Sequence, residues 1–368
     1  MAEGIPVELI EAIVDHVDPA ALRSCALTTR AFVRPSQRRI FHSINHSTSA
    51  DSTRLSLLCG LLSISPHLAS YVRTVKVYLH RDILLDMTCL LRCCLKLESL
   101  AICFLRNISR LGVSLLPMDF FEALVDAIAL PSLDCLELWG NTSDSLLIFP
   151  SILHFAIKAV RRLGLCRVEI MAGMEVGQSI VAPHITSSAQ ILGSLKSLTM
   201  GRFSYKLIPF LEASAPKLTE LRLGLSTDWR AWSFPHFEVL RFAEFTVAVN
   251  AITSFGGLLE RFPAPNLERL TIVMRVRFSL DLTPRRTSPW PMFDPQRAYQ
   301  RKFPHLRAID CQLCLWPYFR GDRAASYDAF VSRMEASMAA LRGTELLRCS
   351  CVPCYQYASW DEWAEYDA

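Results

Sequence analysis

The sequence predicts an α/β chain, with a short three-helix unit first and then an irregular solenoid whose parallel strands line a concave side and whose helices lie outside. Three observations predict it. A short apolar frame, L-x-x-L-x-L, recurs from Val72 to Cys311, stretches of helical periodicity lie between its copies, and prolines stand just ahead of most of them.

A chain of 368 residues exceeds a usual single core, so several domains or a repeat are expected, and the recurring frame favours the repeat. Apolar residues make up 51%, charged residues 20%, and the mean hydropathy is +0.25, which suits a long core and excludes a disordered chain. No uninterrupted apolar run approaches the roughly 20 residues of a membrane span. The richest stretch, Leu55 to Ile64, is interrupted by Ser56, Cys59, Gly60 and Ser63, and the N-terminus lacks the basic start and apolar run of a signal peptide. A soluble protein of the cytoplasm or nucleus, with no membrane partner, is the expectation. The 13 cysteines are scattered through apolar segments, as at Cys89, Cys93, Cys94, Cys103 and Cys135, and read as small buried hydrophobes of a reducing compartment. A net charge of +4 is too small to imply nucleic acid. The sign is unevenly spread: residues 264–310 hold nine Arg/Lys against four acids, and residues 344–368 hold one Arg against five acids. Either these are two solvated faces or they are complementary contact sites.

Pro6 suits a first helical turn, Glu8 and Glu11 suit the positive end of the helix dipole, and Leu9, Ile10, Ile13, Val14 and Val17 form a stripe, so a helix spans about 6–17. Asp18-Pro19 starts a second helix carrying Leu22, Cys25, Ala26 and Leu27. Arg34 precedes Pro35 and is expected to be extended, with a third helix over 36–41. Three short helices make a marginal core, which must lean on the next domain or on a partner.

The run Ile5-Pro6-Val7-Glu8-Leu9-Ile10-x-x-Ile13, followed by Leu22, Cys25-Ala26-Leu27 and Arg30-Ala31-Phe32, resembles an F-box. That resemblance implies docking on the small adaptor of a cullin-RING ubiquitin ligase through Ile5, Pro6, Leu9, Ile13 and Leu22, with the rest of the chain selecting a target protein. The residues alone leave a second reading open, in which the same side chains cap the end of the solenoid.

The frames are Val72/Val75/Val77, Leu97/Leu100/Ile102, Leu133/Leu136/Leu138, Leu165/Val168/Ile170, Leu195/Leu198/Met200, Leu218/Leu221/Leu223, Phe237/Leu240/Phe242, Leu267/Leu270/Ile272 and Leu306/Ile309/Cys311. Lead-ins such as Ala215-Pro216-Lys217 and Phe303-Pro304-His305 end a helix and start an extended segment. Helical periodicity fills 52–63, 118–129, 151–162, 205–213, 246–261 and 327–341. Strand, helix and proline turn is the leucine-rich-repeat plan, here irregular, with first anchors 19 to 39 residues apart. The whole resembles the F-box/leucine-rich-repeat group, in the style of its fungal branch. The expected divisions are an F-box-like segment 1–45, repeats over 46–320, a capping helix 321–343 and an acidic tail 344–368. The function this implies is a substrate-recognition subunit of a ubiquitin ligase of the Skp-cullin-F-box type. The alternative is a stand-alone repeat scaffold with a helical cap.

With the anchors inward, alternate strand residues face the concave side. Trp139, Glu220, Arg222, Arg241 and Arg269, with the loop residues Trp229 and Trp232, are the expected target-binding surface, because Trp and Arg dominate interaction hot spots. The proline-rich insertion around 280–301 adds Arg285, Arg286 and Trp290, which either suit an acidic partner segment or belong to a plain surface insertion. No nucleophile elbow, phosphate loop, zinc-protease pair or dinucleotide fingerprint occurs, so no enzyme, catalytic residue or cofactor is expected. Cys311-x-x-Cys314 with Cys349-x-Cys351-x-x-Cys354 has zinc-like spacing, but Cys311 is an anchor and belongs in the core, so no metal is expected either.

Overall fold

Pro6, with no N–H to lose, caps the first helix of the computed structural model, α1 (Val7–His16), at its N-terminal end. Asp18 ends the connection by accepting a hydrogen bond from the Ala20 N–H at 2.7 Å, and α2 (Leu22–Thr28) and α3 (Arg30–Phe41) follow. The Arg39 guanidinium donates to the carbonyls of Val14 and Val17, neutralising the negative end of α1 and tying it to α3. Here the expected break at Pro35 does not occur: α3 runs through it. A proline inside a helix costs about 3 kcal/mol, but Pro35 and Ser36 are buried, and tertiary packing outweighs that cost.

Placement is described for residues 5–46, 52–104, 116–140, 146–148, 156, 159–166, 168–170, 195–203, 208–225, 233–248, 255–276, 302–315, 322–337 and 346–353. The chain divides into two compact units, Met1–Gly140 and Asn141–Ala368. In the first, β1 (Ser43–His46), β2 (Thr74–Leu79), β3 (Ser99–Phe104) and β4 (Cys135–Trp139) pair in parallel in chain order. β1 was not expected as a strand. Its Ile44 stands in register with Val75, Leu100 and Leu136, so the N-terminal helices run straight into the sheet. Helices α4 (Ser52–Ile64), α5 (Leu84–Cys93) and α6 (Met118–Ile128) occupy the crossovers. α5 was not foreseen, although Leu84, Met87, Thr88 and Leu91 recur at helical spacing and are buried.

In the second unit β5 (Leu146–Ile148), β6 (Arg162–Cys166) and β7 (Val168–Ile170) come first, and β5 pairs only with β7 among the described strands. β6 belongs to a parallel run with β8 (Ser197–Phe203), β9 (Glu220–Leu225), β10 (Phe242–Ala248), β11 (Arg269–Val276), β12 (Ala308–Leu315) and β13 (Leu347–Pro353), adjacent in that order. Helices α7 (Ile208–Ser214), α8 (Phe255–Arg261) and α9 (Arg323–Ser337) connect them. Leu198, Leu221, Ala243, Leu270 and Ile309 form one buried row, and Met200, Leu223, Phe245, Ile272 and Cys311 the next. Such rows, one anchor per strand with parallel neighbours, are consistent with a solenoid.

Register corrects two frames. Ala243, level with Leu221 and Leu270, shows that the frame on β10 is Leu240/Ala243/Phe245 rather than Phe237/Leu240/Phe242. A small residue at the second anchor hid it, and aromatic rings fill the space: Phe262 lies 5.2 Å from both Phe237 and Phe245 and 5.4 Å from Phe234. Likewise Leu163 and Leu165 pair with Leu198 and Met200, so the frame is Val160/Leu163/Leu165, and Val168–Ile170 is the separate strand β7. Residues 246–248, expected as helix, end β10, and β13 is a sheet strand inside the segment read as an acidic tail.

The prolines ahead of the frames have a specific task. Leu133, Leu218, Leu267 and Leu306, each a first anchor, donate their N–H to the carbonyls of Leu130, Ala215, Ala264 and Phe303 at 3.0–3.4 Å. Each closes a four-residue turn with proline second, where its fixed φ fits. No described helix is long and apolar enough to cross a membrane.

Candidate interaction surfaces

In the first unit α1 is apolar on two sides. Ile10 and Val14 are buried, while Ile5, Leu9 and Ile13 are 42%, 55% and 46% exposed, with Val7 and Pro6 exposed beside them. Leu27 on α2 is exposed as well. Leu22, expected on the same outward surface, is only 3% exposed, because its position at the start of α2 places it in the small helical core. Trp139 stands on the strand face opposite the anchors, as expected, but it is 4% exposed, with the Lys76 ammonium 5.6 Å from its ring centroid. It is a packed residue and offers no hot spot in this state.

In the second unit the residue after each first anchor forms a hydrogen-bonded rim at the strand starts. Lys196 donates its N–H to Arg161, Thr219 to Lys196, Arg241 to Thr219, Glu268 to Arg241 and Arg307 to Glu268, at 2.7–2.9 Å. Arg241 therefore sits on this rim, 71% exposed and 3.7 Å from Glu268, and not on the strand face with Arg222 and Arg269. The three-residue shift of the β10 frame, an odd number that exchanges the two strand faces, is the cause.

The face itself carries two level rows. One is Glu220, Phe242, Arg269 and Ala308; the other is Arg222, Glu244, Thr271, Asp310 and Arg348. Asp310 is buried and accepts from Arg269 Nε at 2.5 Å, while Arg222 Nε stands 4.0 Å from the mostly buried Glu244 and its guanidinium 5.3 Å from the Phe242 ring centroid. Burial pushes the Glu244 carboxyl up, and Arg222 and Arg275 only partly oppose this. Thr271 and Val273 are buried on the same face, so its open part is the strand-start half of β9–β11. The sequence foresaw Arg222, Arg269 and Glu220 there. It placed Asp310 there too, but missed Phe242 and Glu244, because the β10 frame was set three residues too early. Trp229, Trp232, Arg285, Arg286 and Trp290 lie outside the described residues.

Cys311 and Cys314 are both buried on β12, and residues three apart in a strand point to opposite faces, so this pair does not converge on one ion. Burial raises the Cys311 thiol well above its ordinary value, with Cys349 and Asp310 adding to it. Cys354 is outside the described residues, and no metal-ligand cluster occurs among the described ones.

The sequence matches no protein-family profile and no curated protein. Among solved structures it is similar to a chain of the "Crystal structure of Rad7 and Elc1 complex in yeast", at 12% identity and a TM-score of 0.28, over 87% of this chain and 94% of that one. A likeness that faint supports no inference about function.

Proposed function

We propose that this chain is the substrate-recognition subunit of a cullin-RING ubiquitin ligase, holding the ligase adaptor through its N-terminal helices and a target protein through the strand face of the second unit. In this reading residues 1–45 form the adaptor-binding part and the repeats over 46–320 the target-binding part, and the chain needs no catalytic residue. It works by proximity, raising the effective concentration of target at the ligase.

The exposed flank of α1 is the observation that carries the reading. A cap that merely closed the solenoid would turn a polar face outward, whereas Ile5, Leu9 and Ile13 stay about half exposed while Leu22 is buried in the small helical core. Full burial of such a side chain is worth about 1.5–3 kcal/mol, and roughly half of that is left at each for a partner to recover. The test is co-purification with a Skp-type adaptor. The wild-type chain is expected to retain the adaptor, and the Leu9→Asp/Ile13→Asp variant to lose it while still unfolding cooperatively in urea, with a midpoint lowered less than by a core substitution, since both side chains are about half exposed. Failure of the wild type to bind, or unimpaired binding by the double variant, would sink the proposal.

A further inference from the structure

The first unit holds a group of thiols that the ligase reading does not use. Cys59 on α4 meets Cys89 and Cys93 on α5, with buried Cys94 just beyond that helix. The two helices are pinned where they meet: the Ser56 hydroxyl donates to Asp86 Oδ2 at 2.6 Å, and the Cys59 thiol donates to the Asp86 carbonyl at 3.1 Å. Cys89 is the centre of the group. Its thiol is in hydrogen-bond contact with both Cys59 and Cys93, and Ser63 Oγ lies 3.5 Å from Cys89 Sγ and 4.0 Å from Cys93 Sγ.

The two bridges open to Cys89 are not equivalent. Cys89 and Cys93 are four residues apart on one helix, which keeps their Cβ atoms about 5–6 Å apart, whereas a disulfide needs about 3.5–4.5 Å. Cys59 and Cys89 stand on separate helices with their sulfurs already facing, so side-chain rotation can close that bridge. Access differs within the pair as well. Cys89 is partly exposed, and Cys59 is 4% exposed. Burial pushes the Cys59 thiol up to about 12, so at neutral pH it keeps its proton and an oxidant meets Cys89 first.

We infer that Cys59 and Cys89 form a reversible redox pair, which a hydroperoxide oxidises to a disulfide stapling α4 to α5. The Cys89 sulfur attacks a peroxide oxygen and the O–O bond breaks, so that thiol and hydrogen peroxide give Cys89 sulfenic acid and water. The Cys59 sulfur then displaces the hydroxyl from Cys89, and the Cys59 proton leaves with it as a second water. The pair loses two electrons and the peroxide gains them. The closed loop runs from residue 59 to residue 89 and contains β2, so the bridge ties together the helices before and after that strand. Where thiols are kept reduced such a bond is transient, which suits a sensor rather than a framework.

The test uses the purified, fully reduced full chain, treated with hydrogen peroxide at neutral pH, quenched with catalase and unfolded in iodoacetamide to block the remaining thiols. Trypsin cuts after Arg73, Arg81 and Arg92, so Cys59, Cys89 and Cys93 leave on separate peptides. Mass mapping without reductant should find the Cys59 and Cys89 peptides joined, lighter than their sum by two hydrogens and parted by dithiothreitol. Cys89→Ser should lose the joined species and leave Cys59 alkylated, while Cys93→Ser should keep it. No joined species in the wild type, or Cys89 joined mainly to the Cys93 peptide, overturns the inference. So does Cys89 sulfinic acid with Cys59 still alkylated. A Cys59–Cys89 bridge equally abundant after oxidation in urea overturns it too, for then the fold is not what brings the two thiols together.

Discussion

The flank of α1 and the strand face of β9–β11 are both exposed, yet they are unsatisfied in different ways. On α1 and just before it, Ile5, Leu9 and Ile13 stay about half exposed, while Ile10, Val14 and Leu22 fill the small core behind them. On the strands, Arg222 and Arg269 have carboxylates of their own and stay partly hydrated. An exposed apolar flank gains only from a partner that excludes water, whereas a charged face is stable alone and gains only from a partner with better-placed acceptors. The first surface therefore suits a constant partner and the second a selected one.

The comparison is sharpest if each surface can be changed without unfolding the chain, so the core must first be told apart from both. Phe262→Ala, which deletes the ring that joins Phe234, Phe237 and Phe245, is expected to cost about 3–5 kcal/mol in urea unfolding. Gly224→Ala belongs to the same class: a Cβ there would lie 1.8 Å from the Gly201 carbonyl oxygen on the neighbouring strand, so a loss of about 1–3 kcal/mol is expected. By contrast, Leu9→Asp/Ile13→Asp should cost about 1–2 kcal/mol, less than the core ring, while abolishing adaptor capture; a loss as large as that of Phe262→Ala would erase the distinction between flank and core.

On the strand face the expected effects are smaller and depend on pH. The Glu244 carboxyl is raised above its ordinary 4.5 by burial, so the folded chain holds that proton more tightly than the unfolded one. The stability it confers is full below about 4.5 and is lost as pH rises through the folded value. Glu244→Gln should therefore flatten the decline in unfolding free energy as pH rises through that range, read from urea titrations at several pH values; an unchanged slope would place the decline elsewhere. Smallest of all is a chemical difference in the first unit. Burial pushes the Cys59 and Cys94 thiols up to about 12, so iodoacetamide at neutral pH should label them only after denaturation, as read by peptide mass mapping.

Much of this architecture was legible from local pattern. Leu218, Leu221 and Leu223 announced their strand, and Leu267, Leu270 and Ile272 theirs, because alternation and proline turns act within a few residues. The β10 frame was not, since Ala243 carries too little apolar signal to mark an anchor; neighbouring strands had to set its register. β1 and β13 were hidden for a similar reason: Ser43–His46 and Leu347–Pro353 are ordinary polar-apolar mixtures until Ile44 lies beside Val75 and Leu347 beside Ile309.

By itself the sequence determined the repeat, the N-terminal helices and the residue types on each surface, for these follow from periodicity and capping. Only the tertiary structure decided which of those residues remain available. Leu22 and Trp139 were withdrawn into packing, Arg241 was moved to the rim, and Arg222 and Arg269 were paired with buried acids. The physical reason is that exposure and ion pairing depend on neighbours distant in sequence, Asp310 standing 41 residues from Arg269, and no local pattern records that meeting.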